Sequence, residues 1–499
     1  MTSHDSRAGW DAGWRSLARK GVRVILEQRR TSRPGNPGRQ SGGLGTVIVK
    51  RLSVLACALA VGALVSLLGL TGEGRAGEMT LGDCIAAALQ SNRDIAGARE
   101  ALAQARSGVA EAKSGFLPNL SMSGSYNFLE KTPTVALPTM TGGFENVEMD
   151  FTKDYGVELA LSQPLYSGGR ISGSYRMSKA TQEIAQADLE RRQAEVALSV
   201  ITAFYSLILA RESVVVAQEA IKTAEEFLRV VEARYKAGEA SSFEVMRAEV
   251  EVSNLKPALI AARNAVALSE LALKNAMGAK AGADLAFVGS FDTQEYDTDV
   301  PNAVRLALEN RPELRAADAQ GRIAADGLAV AKAGRLPTVA LTATYDFAGD
   351  KLKLENDAWE KTYNGYLVMS LPIFDGFRTK SQIARSRSGI RQSEIARAGL
   401  EDGIELEVRS SMLGLEAAAE ALRSQEKNVE VAGEGLKIAN DRYLQGLATN
   451  LDVMDAQLAL TRARNYRLQA LHDLNLATAN LKRAMGILLT DHGRAGQGQ

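Results

Sequence analysis

From Asn119 the chain alternates in polarity. Leu120, Met122, Gly124, Tyr126 and Phe128 fall on one phase, and Asn119, Ser121, Ser123, Ser125 and Asn127 on the other. This is the period of a strand with one apolar and one hydrated side. Val339, Leu341, Ala343, Tyr345 and Phe347 repeat the apolar phase against Thr338, Thr342, Thr344 and Asp346. A second pair of strands runs toward Pro164 and Pro372, with Tyr155, Val157, Leu159 and Leu161 matching Tyr363, Gly365, Leu367 and Met369. The pattern predicts four strands, each of about ten residues, long enough to cross a bilayer with tilt. A soluble sheet packed on one side would show the same alternation.

The helical pattern argues against so ordinary a sheet. Val196, Val200, Ala203, Leu207, Ala210, Val214, Ala217, Ile221, Ala224, Leu228, Val231 and Tyr235 follow steps of four and three, a heptad seam. Ile404, Val408, Leu415, Ala418, Leu422, Val429, Ala432, Leu436, Ala439 and Tyr443 keep the same register, with Ser411 and Gln425 as the polar exceptions. Ile184, Ala187, Ala194, Leu198, Ile201, Tyr205 and Ile208 form another seam on a different face, which predicts neighbours on two sides. A helix from about Arg170 to Lys236 would be roughly 100 Å long, longer than a compact domain needs. Gly238 and Gly446 predict hairpin turns, followed by return helices from Ser242 and Asn450. Pro257, matched by Asn465, predicts a bend in one return helix only. Helical patterns at 80–115 and 300–335 lead into the first strand of each half.

The chain contains itself twice. Ser162-Gln163-Pro164-Leu165-Tyr166-Ser167-Gly168-Gly169-Arg170 returns 208 positions later as Ser370-Leu371-Pro372-Ile373-Phe374-Asp375-Gly376-Phe377-Arg378. Arg234-Tyr235 and Arg442-Tyr443 keep that offset, whereas Leu117-Pro118 and Leu336-Pro337 lie 219 apart, so the first half carries eleven extra residues, expected in a surface loop. The implied organisation is a leader and signal over 1–76, a first repeat over 77–280, a linker over 281–298, a second repeat over 299–490 and a polar tail over 491–499.

Charge separates the leader from the rest. Residues 1–76 hold twelve Lys/Arg and four Asp/Glu, and the remainder 47 and 55, so a neutral total hides segments of +8 and −8. Lys50-Arg51, an apolar run from Leu52 to Leu70, and Gly74-Arg75-Ala76 have the layout of a secretory signal, with a mature start expected near Gly77. The run is also long enough for a membrane anchor, but its glycines and alanines, the basic flank and the cleavage site favour removal. Cys57 lies within the apolar run, and lipidation there is not expected because the run continues past it. Removal of the signal would leave Cys84 alone, without a disulfide partner and placed as a small buried hydrophobe.

Four strands do not close a membrane barrel, and an open strand edge in lipid leaves backbone groups unpaired. Several chains must pool their strands; two would give a tight barrel filled by side chains, three a wider one with a wet lumen. These doubled landmarks, with the Val-Met pairs at 245–246 and 453–454, resemble the TolC-like outer-membrane efflux proteins over about 77–490. The resemblance implies a mixed fold in a homotrimer: a twelve-stranded transmembrane barrel in outer-membrane lipid, joined to a periplasmic barrel of long antiparallel coiled coils. It also implies docking of the helical tip onto a periplasmic adaptor and an inner-membrane pump. The function expected is that of an exit duct in efflux or type I secretion, without cofactor, metal or nucleic acid.

The turn from Tyr443 to Asp455 is similar to the family's inner-hairpin entrance. Asp452 and Asp455 stand one helical turn apart on one face; in a trimer they would ring the axis with six carboxylates, attract cations and raise one another's pKa. Acidic residues in a first turn also serve the helix dipole. Tyr443 matches a family position that holds the entrance closed, although seam packing accounts for it equally well. Tyr235 is its counterpart in the first half. The arginine often found two residues after the turn glycine is Ala448 here, and Glu244 takes the place of the aspartate that would bond it. Gly168, Gly169 and Arg170, with Gly376 and Arg378, suit tight strand-to-helix exits after Pro164 and Pro372; no nucleotide-binding lysine pattern accompanies them. His472 and His492 show no spacing for a zinc site or a nucleophilic triad, and an enzyme is not expected. A coiled-coil spacer would explain the heptads alone, and a porin the strands alone.

Overall fold

The computed structural model describes residues 78–127, 134–140, 142–148, 155–292, 298–349 and 359–489. The leader, the signal with Cys57, Phe128, the tail and His492 lie outside them. The elements run β1 (Glu78–Met79), α1 (Leu81–Ser91), α2 (Arg93–Ser114), β2 (Asn119–Tyr126), β3 (Thr134–Pro138), β4 (Phe144–Glu148), β5 (Tyr155–Tyr166), α3 (Arg170–Lys236) and α4 (Ser242–Ala276). There follow β6 (Ala286–Phe287), α5 (Val300–Asn310), α6 (Pro312–Ala333), β7 (Thr338–Gly349), β8 (Glu360–Ser370), α7 (Arg378–Leu444) and α8 (Asn450–Ala484).

β2, β5, β7 and β8 form one antiparallel sheet in that order. Directly opposed residues of an antiparallel pair share a face, so the register tests the predicted phases. Met122 faces Leu159, Leu159 faces Tyr345, and Tyr345 faces Tyr363; Leu120, Leu161, Ala343 and Gly365 line up in the same way. The apolar phases of four separate segments thus make one continuous face. Ser123, Glu158, Asp346 and Thr362 form a row of the other. On the apolar face Leu120, Met122, Tyr126, Tyr363, Leu367 and Met369 are all exposed in the single chain. The eleven extra residues go into more than a loop: β3 and β4 pair as a separate hairpin between β2 and β5.

The long helices α3 and α7 have 67 residues each, and α4 and α8 have 35 each. α3 packs on α4, α6, α2 and α8, which accounts for its more than one apolar stripe. Val200, Leu207 and Val231 of the long seam and Ala187, Ile201 and Ile208 of the other are buried. α4 stays helical through Pro257.

Two expectations change. The helical patterns at 80–115 and 300–335 are each broken into two helices. Asn92 leaves helical geometry, accepts the Asp94 N–H through Oδ1 at 2.8 Å, and donates from Nδ2 to the Ala276 carbonyl at 2.9 Å. In the second half Pro312 excludes Arg311 from the helix, since a residue before proline is pushed to extended geometry. The linker is also more than a spacer: β6 pairs in parallel with β1, Phe287 is buried, and Asn475 of α8 accepts the Asp292 N–H at 3.2 Å and donates to its carbonyl at 2.9 Å.

Arg311, 7% exposed, anchors the second break. It bonds Glu313 at 3.0 Å and Glu407 of α7, while Arg483 of α8 takes the other Glu407 oxygen. Its counterpart is the neutral Asn92, so the halves use different chemistry for the same corner.

Candidate entrance at the hairpin tips

Both hairpin tips are built alike. α3 and α7 end on Gly238 (φ 79°) and Gly446 (φ 72°). The N–H after each glycine returns to the carbonyl five residues back, Glu239 to Arg234 and Leu447 to Arg442, both at 2.8 Å, while the glycine N–H bonds the carbonyl three back. This double closure uses the last free carbonyls and requires a left-handed residue, hence glycine. α4 and α8 then start with reciprocal caps. The Glu244 N–H donates to Ser241 Oγ, whose backbone N–H donates to Glu244 Oε1; Thr449 and Asp452 do the same.

The two tips meet at Tyr443. It is 3% exposed and lies against Phe227, Val231, Leu436 and Val453, with Ala448 partly buried beside them. Its hydroxyl donates to Glu244 Oε2 at 3.3 Å. Burial raises the Tyr443 pKa above its ordinary value, with the Glu244 charge adding to the effect, so the hydroxyl stays a donor. Arg234 donates from Nη1 to the Tyr443 carbonyl and lays its guanidinium over the ring, 4.9 Å from the centroid. Buried Asn450 donates from Nδ2 to the Glu244 carbonyl at 2.9 Å. One side chain from each of α3, α4, α7 and α8 therefore converges at one point. The family resemblance names Tyr443 and Glu244 as entrance positions but not as a bonded pair, and it does not name Arg234 or Asn450, whose partners are some 200 positions away in the other hairpin.

The structure does not bring Tyr235 into this cluster; it is 49% exposed near the end of α3. Asp452 and Asp455 are both exposed in the first turns of α8. Asp452 accepts the Thr449 N–H and Oγ–H at 2.7 Å each on Oδ2, and these bonds, backbone first, hold its carboxyl below the usual aspartate range. Within one chain Asp452 is thus a cap, and its titration is displaced opposite to the rise expected of a crowded ring.

At the strand-to-helix exits, Pro164 lies in β5 just before the pairing with β7 slips at Leu165, and Arg170 opens α3. Gly168 has φ 63°, and a Cβ there would meet Leu336 Cβ at 2.9 Å, so conformation and space both demand glycine. In the second half β8 ends at Ser370, before Pro372; Gly376 and then Phe377 take left-handed geometry, and Arg378 opens α7. Ser167 and Asp375, at matching positions, supply caps overlooked in the sequence: Ile171 N–H donates to Ser167 Oγ at 3.2 Å, and Thr379 N–H to Asp375 Oδ2 at 2.9 Å.

Ser206, His472 and Asp473 stand in the order of a hydrolase triad, at 3.4 and 3.1 Å. Ser206 Oγ, however, donates to the Thr202 carbonyl at 2.8 Å within α3, whose N–H groups are used by the helix and offer no oxyanion site. The contact joins α3 to α8 as packing.

A model of the outer membrane efflux protein family matches residues 84–279 and 303–487. Outer membrane efflux protein BepC of Brucella suis biovar 1 (strain 1330) is 25% identical over 444 residues, 87% of this chain and 92% of the relative. Among solved structures, CusC superposes with a TM-score of 0.69 at 16% identity, over 81% of this chain and 92% of that one. The outer membrane protein VceC of Vibrio cholerae gives 0.68 at 19% identity, over 81% and 96%.

Proposed function

The chain belongs to the outer membrane efflux protein family, and on that footing we propose that three copies form the passive outer-membrane duct of a tripartite efflux or type I secretion system. The observation that carries this reading is the four-stranded sheet. Its apolar face is exposed, its opposite face carries Ser, Thr, Asn, Glu and Asp, and its outer strands β2 and β8 each have an edge unpaired among the described residues. In lipid such edges are untenable. Three sheets joined β2 to β8 make twelve strands, with the apolar face toward lipid and a lumen wide enough for water.

The long helices then extend the conduit by roughly 100 Å into the periplasm. Their exposed apolar residues, among them Ile395, Leu406 and Leu413 of α7, would be covered by neighbouring copies. The tips form the entrance and dock a periplasmic adaptor, beneath which an inner-membrane pump supplies energy and selects cargo. Tyr443 and Glu244 hold the inner hairpin against the outer one in the closed state, with Tyr235 on the outer hairpin's surface. Asp452 and Asp455 from three copies ring the opening and attract cations. The signal at the N-terminus exports the chain.

The test is oligomeric state and conductance together. A duct fractionates with outer membranes as a heat-resistant trimer and conducts ions across planar bilayers. A non-conducting trimer would indicate an envelope spacer, and a monomer in detergent would overturn the reading. Replacing both Asp452 and Asp455 with Asn is expected to reduce cation selectivity and divalent block; unchanged values would remove the ring assignment.

A further inference from the structure

We infer that Arg234 is the clasp that holds the inner hairpin in the closed position, supplying from the outer hairpin the cation that position 448, an alanine, does not. The inference rests on the reading of the chain as a duct and adds the residue that sets its resting state.

Three contacts of one guanidinium support it. Nη1 donates to the Tyr443 carbonyl, in the last turn of α7, where the helix dipole is negative. The cationic plane covers the Tyr443 ring at 4.9 Å. Nε lies 3.5 Å from Glu239 Oε2, which aims the side chain from beyond its own turn. The side chain is only 20% exposed, and Nε makes no hydrogen bond, so this cation is desolvated while two of its three contacts go to one residue of the other hairpin. Lysine retains the charge and loses the planar fork that makes several contacts at once.

The sequence counterpart is a built-in control. Among the described residues the Arg442 side chain hydrogen-bonds the Leu447 carbonyl of its own turn, at 3.5 Å, and its charge acts on Asp452 of the same hairpin. The same Arg-Tyr pair thus clasps across hairpins through Arg234 and stays local through Arg442. Asn450, bonding the Glu244 carbonyl, aligns the helix starts beside the clasp.

The experiment compares Arg234→Leu, Arg234→Lys and Arg442→Leu in the full chain, first checked for a heat-resistant trimer. Conductance in planar bilayers is read alongside the distance between spin labels at Lys236→Cys and Gln445→Cys, with labelled protomers diluted by unlabelled ones. Arg234→Leu is expected to raise conductance several-fold and to lengthen and broaden the tip distance, Arg234→Lys to fall between, and Arg442→Leu to match wild type. Should Arg234→Leu not assemble, Arg234→Lys decides by the same two readouts. Wild-type conductance and tip distance in the Arg234 variants, or an equal effect from Arg442→Leu, would overturn the clasp. A wild-type protein that never conducts refutes the duct instead, and the label distances still judge the clasp.

Discussion

Tyr235 and Tyr443 stand 208 positions apart at matching points of two equally long helices, yet the first is 49% exposed and the second 3%. The difference comes from what each hairpin packs against. Tyr443 meets Arg234, Phe227 and Glu244 of the other hairpin, and Tyr235 keeps an open side.

Tyr443→Phe removes the hydroxyl that donates to Glu244. A bond of this kind to a charged acceptor contributes about 1.5–3 kcal/mol, so the unfolding midpoint in urea is expected to fall. Tyr235→Phe is expected to leave it within about 0.5 kcal/mol. Equal effects would mean that the contact is not formed in solution.

Glu407→Leu leaves Arg483 and Arg311 short of a partner at the corner between α7, α6 and α8. Glu407 is partly exposed and Arg311 keeps Glu313, so the loss is expected to be about 1–3 kcal/mol, whereas Arg311→Leu with Glu407→Leu is expected to cost less than the sum of the single changes. A double-mutant cycle from denaturant unfolding measures the coupling.

Asp452 titrates below its ordinary range because it accepts two bonds from Thr449. A carboxyl depressed in the folded state stabilises above its unfolded pKa, and that contribution is lost as pH falls through the depressed value. Asp452→Asn is therefore expected to destabilise at neutral pH and to converge with wild type in acid below the aspartate range. The comparison is made by thermal unfolding at both pH values, and a gap that persists in acid would show that the cap does not depend on charge.

Cys84 is fully buried, and burial pushes its thiol up to about 12, with the Asp83 charge adding. The folded protein is expected to resist a thiol reagent at mildly alkaline pH and the unfolded chain to react. A thiol held neutral by folding stabilises fully below its unfolded pKa, and this is lost as pH rises toward about 12. Rapid labelling of the folded chain would place Cys84 at the surface.

The apolar and polar phases of the strands, the ends of the long helices, and the glycines at 238 and 446 were legible from the amino acids because each depends on local geometry: a period of two, a period near 3.6, a left-handed turn residue. The breaks at Asn92 and Arg311 were less visible, since apolar periodicity runs through them. The Arg311-Pro312 pair carried a signal for one of them.

What the chain alone determined is the apolar phase of the four sheet strands, the seams of the two long helices and the turns at Gly238 and Gly446. The tertiary structure decided which of two equivalent tyrosines is buried, that Arg234 and not Arg442 crosses between hairpins, that Arg311 finds Glu407, and that the insertion pairs as β3 and β4. Periodicity reports that a face is covered without saying by what. The halves share a pattern, but each packs against the other from its own side, so long-range contacts give matching residues unlike neighbours.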